Sequence, residues 1–280
     1  MAILRAVRIR KRRLVQKFFE DRGTHLAAMI AYFALLSFVP LSFLALALLG
    51  LSGRADESSF LVTEIKHALP GAPVTDVVKL VRAVQQNAAT LGIVGGAALL
   101  WTSLSLFSVL ESAFNIVYGR PNRSFLRGKA IALVLMVSSL VTLFVALLVG
   151  SFGVAFLRHY APSFIDSTTA YIFTIAISTA GIFAFLVSVY YLLTNTDVTL
   201  REVLPGATFA AVLLEASFQV LPLYNRITHL NPTLKTFGSP AILLVWLYVM
   251  SNVIVFGAEI NWWVARRKEQ QAGDEVPGLA

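Results

Sequence analysis

The sequence predicts an all-α, polytopic integral membrane protein with six transmembrane helices and short amphipathic helices in the first outer loop. Three observations carry this reading. Of the 280 residues, 57% are hydrophobic and only 14% are charged, where a soluble domain carries about 25% charged residues. Apolar runs near the ~20 residues needed to cross a hydrocarbon layer about 30 Å thick recur along the chain. Lysine and arginine are distributed unevenly between alternate connecting stretches, as the positive-inside rule requires of a multi-pass protein. Cysteine is absent, which removes disulfides, thiolate nucleophiles and Cys-ligated zinc or iron–sulfur centres together.

Residues 1–25 form a basic N-terminal segment. Arg5, Arg8, Arg10, Lys11, Arg12, Arg13, Lys17 and Arg22 crowd in front of the first apolar run, as juxtamembrane cations do beside anionic lipid. The net charge of +8 is therefore read as an affinity for lipid headgroups and not for nucleic acid. The first span, Leu26–Gly50, contains Pro40, which removes a backbone hydrogen bond and predicts a kink. This run is longer than the apolar part of a cleavable signal, so Ala45-Leu46-Ala47 is not read as a processing site.

The loop over 51–90 is too long to be structureless. Val74, Val77, Val78, Val81 and Val84 recur at helical spacing behind Pro73, and Leu61, Ile65, Ala68 and Leu69 make a shorter stripe, so two amphipathic helices are expected on the outer face. The remaining spans are Leu91–Val117, Ala130–Leu157, Tyr171–Thr194, Val203–Tyr224 and Phe237–Val264. The fifth is the least apolar, with Glu215, Gln219 and Pro222, and needs neighbouring helices to insert. Pro240 is placed to open the sixth, because its missing N–H would be unpaired there anyway. Residues 26–264 make one membrane domain, and 265–280 form a polar tail.

Six spans leave both termini on one side of the membrane. The stretches 1–25, 118–129, 195–202 and 265–280 hold 16 Lys and Arg, and the alternate stretches of similar total length hold 7. The termini are therefore expected in the cytoplasm of a bacterial inner membrane.

Ionisable groups inside spans are the sharpest functional clues, since a charge at the bilayer centre costs at least about 2.5–3.5 kcal/mol. Glu215 lies deepest, with Gln219 four residues on and on the same helical face. The pair lines a cavity, binds a cation or polar headgroup, or carries a proton; alternatively Glu215 is a buried acid bonded to a neighbouring helix. Glu111 with Asn115, and Glu259 with Asn252, are shallower. Arg120, Arg123 and Arg127 in the adjacent inner loop are candidate partners for these acids or, as planar bidentate donors, for a phosphate.

No converging nucleophile, base and oxyanion set can be assembled. His25, His67, His159 and His229 form no H-x-H or H-x-x-x-H pair, and Gly95-Gly96 lacks the Lys-Ser/Thr of a phosphate-binding loop. The sequence is thus read as that of a non-enzyme without a metal or cofactor, whose partners are membrane lipids with anionic headgroups. A homo-oligomer is compatible with it.

Four stretches together resemble a known family. They are His25 through Pro40; Asn115-Ile-Val-Tyr-Gly119 followed by Arg123 and Arg127; Leu204-Pro-Gly-Ala207; and Phe237-Gly-Ser239 leading into Trp246-Leu-Tyr248 and Gly257-Ala-Glu-Ile-Asn261. In order and spacing they are similar to the YihY/BrkB family of bacterial inner-membrane proteins over nearly the whole chain. The resemblance implies six helices with cytoplasmic ends. It also implies the range of roles attached to such proteins: serum resistance, export of a lipid or envelope component, and an old ribonuclease BN label that the absence of a metal-ligand cluster contradicts. Transport of an anionic lipid or amphiphilic envelope molecule without ATP hydrolysis is the first functional expectation. A non-transporting scaffold for envelope assembly is the second.

Overall fold

A computed structural model describes residues 14–51, 88–139, 141, 167–228 and 232–274. Among them are seven helices and no strand: α1 (Leu14–Glu20), α2 (Gly23–Leu51), α3 (Ala88–Tyr118), α4 (125–139), α5 (Ser167–Leu193), α6 (Leu200–Thr228) and α7 (Pro232–Asp274). The apolar stretches Ile93–Tyr118, Ile175–Leu193 and Leu243–Arg267 are long and apolar enough to cross a membrane, and Gly23–Ser37 is a shorter apolar stretch. The protein is membrane-embedded and all-helical. Five of the expected spans coincide with α2, α3, α5, α6 and α7, and the first part of the span at 130–157 lies in α4. The amphipathic helices expected within 52–87 fall outside the described residues, as do His67, His159 and His229.

α2 packs against α3 and α7, while α6 lies between α5 and α7. The α6–α7 contact depends on Gly206 and Gly257. A Cβ at Gly206 would overlap the carbonyl oxygen of Gly257 and the side chain of Asn261, and one at Gly257 would overlap the Tyr190 hydroxyl. Close approach of backbones at small residues is how helices gain dispersion energy in lipid, where burial from water supplies no drive. Asn261 Oδ1 fills the notch and accepts the Gly206 N–H at 2.7 Å, and the Tyr190 hydroxyl donates to Ile254 O at 2.8 Å.

The chain turns sharply at Arg22 and at Gly119. Arg22 sits at φ 57° between α1 and α2, and the Phe18 ring packs where a Cβ on Gly23 would fall. At the end of α3, Gly119 has φ 63°; its N–H bonds Ile116 O at 3.0 Å and the next N–H, of Arg120, bonds Asn115 O at 2.7 Å. That pair of bonds is a Schellman cap, which needs glycine at the left-handed position.

One expectation is corrected. α7 begins at Pro232, not at Pro240, which lies inside the helix; Pro232 already takes the first-turn place where a missing N–H costs nothing. Residues 14–20 of the basic N-terminal segment are a helix of their own, folded back onto α7 and α2.

Candidate functional site

The polar residues gather in three places. The first joins the loop after α3 to the end of α5. Arg123 Nη1 donates to Leu193 O at 2.6 Å and Nη2 to Thr194 O at 2.8 Å, so its charge meets the open carbonyls of a helix C-terminus, where a cation is favoured. The same Nη1 lies 3.4 Å from Glu111 Oε1, which confirms one acid–arginine pairing expected from sequence. Glu111 Oε2 in turn packs against Gly128 of α4. Asn115 Oδ1 accepts the Asn195 N–H at 2.8 Å and its Nδ2 donates to Asn122 at 3.1 Å. Asn115 and Arg123 thus fasten α3, the 119–124 loop and α5 together.

Arg120 and Arg127 do not join Arg123. Arg127 is exposed on α4, and Arg120 lines a separate cavity beside Tyr118 and Trp262. The three arginines therefore do not form one clamp in this arrangement.

The second gathering surrounds Lys17. It is only 4% exposed and reaches Glu259 Oε2 at 2.8 Å, Val117 O at 2.8 Å and the face of Trp262 at 4.2 Å, besides pairing with Asp21. Lys17 was grouped with the lipid-facing cations by its position in the basic run. It is instead enclosed by protein, because α1 folds back and turns it toward α7. Glu259 is fully buried, and its second oxygen has no hydrogen-bond partner among the described residues. Asn252, seven residues earlier, donates to Tyr248 O of its own helix at 2.7 Å and lies in an open apolar groove with Val15, Phe19 and Phe209.

The third gathering is the deep one. Glu215 on α6, 7% exposed, accepts from Ser178 of α5 at 2.7 Å on one oxygen and from Gln219 at 2.8 Å on the other. Ser178 and Gln219 are themselves exposed on the side of the bundle. Each of Ser178 and Glu215 stands fifteen residues from the neighbouring ends of α5 and α6, about 22 Å of helix at 1.5 Å per residue. Sequence reasoning found Glu215 and Gln219 but missed Ser178, whose only signal is a hydroxyl in an apolar span. It also missed Lys17, whose signal is a lone cation between Val15 and Phe18–Phe19.

The contacts place Lys17, Val117, Arg120, Asn195 and Arg266 at one end of the bundle. These belong to or adjoin the described parts of the four cation-rich stretches, which therefore meet at one end of the bundle. Among the described residues no group of three His, Asp or Glu is placed to hold a metal ion.

A family described as virulence factor BrkB matches residues 14–277. The chain is 24% identical over 263 residues to the putative ribonuclease-like protein YfkH of Bacillus subtilis, covering 91% of this chain and 95% of that one. It is 25% identical to a UPF0761 membrane protein of Psychrobacter, covering 89% of this chain but only 47% of the relative, so it spans about half of that protein's length. A UPF0761 membrane protein of Rhodospirillum rubrum is 29% identical over 89% of this chain and 58% of its own length. No solved structure matches significantly.

Proposed function

The chain belongs to the virulence factor BrkB family of membrane proteins, and from that premise we propose that it is a transporter or flippase-like protein of the bacterial inner membrane. Its cargo is an anionic lipid or amphiphilic envelope component, and it hydrolyses no ATP. The observation that carries the proposal is the Ser178–Glu215–Gln219 trio, deep along two helices and open at the side of the bundle. A polar group at that depth is costly unless it lines a path or an interface. A headgroup sliding past the trio, with its tails still in lipid, uses it.

Glu215 separates transport from packing. Gln keeps its volume and can still accept from Ser178, but cannot exchange a proton or carry charge. The purified protein in phosphatidylglycerol vesicles is expected to move a fluorescent phosphatidylglycerol between leaflets. Glu215→Gln should fold normally and lose flux at least tenfold, while Glu215→Asp keeps part of it. Normal flux by the Gln variant would remove Glu215 from the mechanism.

The scaffold reading has its own support, since both Glu215 oxygens are already satisfied within the chain and a second copy laid over Ser178 and Gln219 would cover them. Absence of flux from the wild-type protein, together with an intermolecular cross-link at Gln219, would favour it.

All six expected spans cross in this proposal, with the cation-rich end in the cytoplasm. Reporters fused after Lys268 should report the cytoplasm and those within 51–90 the opposite side. A C-terminus on the outer side would refute the six-span topology.

A further inference from the structure

Where α3, α5 and α7 reach one end of the bundle and α6 begins, Tyr118, Arg120, Asp197, Glu202, Trp262 and Arg266 surround a cavity of about 190 Å³. That is many times the space one water needs, enough for a small polar headgroup. Two guanidinium and two carboxylate side chains line it, so one small ligand would meet both signs of charge. Its level is also defined. Tyr118 closes one apolar span and Arg266 lies within a residue of the end of another, and Tyr and Trp at span ends sit at the depth of lipid headgroups.

We propose that this cavity binds a group carrying a phosphate next to a primary amine, of which phosphoethanolamine is the smallest instance, presented by a membrane lipid or as a free solute. A guanidinium suits phosphate because its planar fork donates two parallel hydrogen bonds, and Arg120 supplies one from the 119–124 loop. The amine needs a carboxylate. Glu202 is already used at the start of α6, where its Oε2 accepts the Thr199 N–H at 2.9 Å. Asp197, exposed in the turn between α5 and α6, is the acid left to meet the ammonium. The two segments that carry Arg120 and Asp197 are held in register by Asn115, through Asn195 N–H and Asn122, and by Asn195 Nδ2 on Pro121 O at 2.8 Å. The two opposite charges are thus placed by a hydrogen-bonded frame that does not involve the ligand.

The site discriminates by what it would leave unpaired. Phosphatidylglycerol satisfies Arg120 but presents a neutral glycerol to Asp197, whereas phosphatidylethanolamine answers both. The cavity is about 22 Å of helix away from Ser178 and Glu215, so its occupancy and any flux are measured separately, and a scaffold with this cavity would bind the same group.

The test is lipid retention by the full-length protein in native mass spectrometry, after incubation with phosphatidylethanolamine or phosphatidylglycerol, alongside calorimetric titration with soluble phosphoethanolamine. The expected result is about tenfold stronger retention of phosphatidylethanolamine, levelled by Asp197→Asn, with both lipids weakened by Arg120→Gln. Arg120 contributes to the Schellman cap only through its backbone N–H, and Asp197 is exposed, so unchanged unfolding midpoints are expected for both variants. Binding of soluble phosphoethanolamine without lipid retention supports the same chemistry with a free solute as its source. Equal retention of the two lipids, retention unmoved in both variants, or no binding of either lipid or solute overturns the proposal.

Discussion

Lys17→Met is expected to destabilise the protein by about 3–5 kcal/mol, the cost of leaving a buried charge without its partner. Glu259 is fully buried, and one of its oxygens already has no hydrogen-bond partner among the described residues; removing the ammonium strands the other. The Val117 carbonyl loses its donor as well. Asp21, at 22% exposed, keeps access to water and contributes little to the loss. The double variant Lys17→Met, Glu259→Met is expected to recover most of the stability, because an apolar pair of similar volume often replaces a buried ion pair without net cost. Thermal unfolding of the purified protein in detergent checks both. A single variant as stable as the wild type would show that Lys17 is not a buried partner in the membrane-extracted protein.

Gly206→Ala comes next in size. The added methyl would overlap the Gly257 backbone carbonyl on α7 as well as the Asn261 side chain, so turning Asn261 aside is not enough and the two helices must separate. Overpacking costs about 1–3 kcal/mol, and losing the Asn261 bond leaves the Gly206 N–H unsatisfied for about another 1–3 kcal/mol. The same methyl on Gly96, which would meet nothing within 4 Å, is the control and should be tolerated. Equal unfolding midpoints for the two alanine variants would contradict the close α6–α7 packing.

The runs that coincide with α2, α3, α5, α6 and α7 were legible because the bilayer imposes length and apolarity on every helix independently, so each could be recognised without its neighbours. That the described parts of the cation-rich stretches meet at one end was legible for the same reason: charge bias is a property of loops counted one at a time. Partners were legible only where sequence kept them close. Glu111 and Arg123 are twelve residues apart, and Arg123 stood among three candidate arginine partners in the adjacent loop, whereas Lys17 and Glu259 are 242 apart and nothing linked them. Nothing in a linear pattern states that α1 folds back, because that depends on Arg22 taking a left-handed conformation ahead of Gly23 and on the Phe18 ring finding Phe256. The start of α7 was misplaced since two prolines, Pro232 and Pro240, offered the same local signal, and only packing selects between them. Ser178 carries no signal of its own and acquires a role solely from the acid that faces it.

The 242-residue separation of Lys17 from Glu259 also orders events during synthesis. A chain is made from its N-terminus at about 5–20 residues per second, so Lys17 emerges well before its carboxylate exists. Through the insertion of every intervening helix, α1 lacks Glu259, Trp262 and Phe256, the partners that enclose Lys17 and Phe18. Its docking is therefore among the last steps of assembly. A chain stalled or cut before α7 leaves Lys17 and the Phe18 ring without the α7 partners that enclose them. The N-terminal helix is thereby complete only once the last helix has arrived.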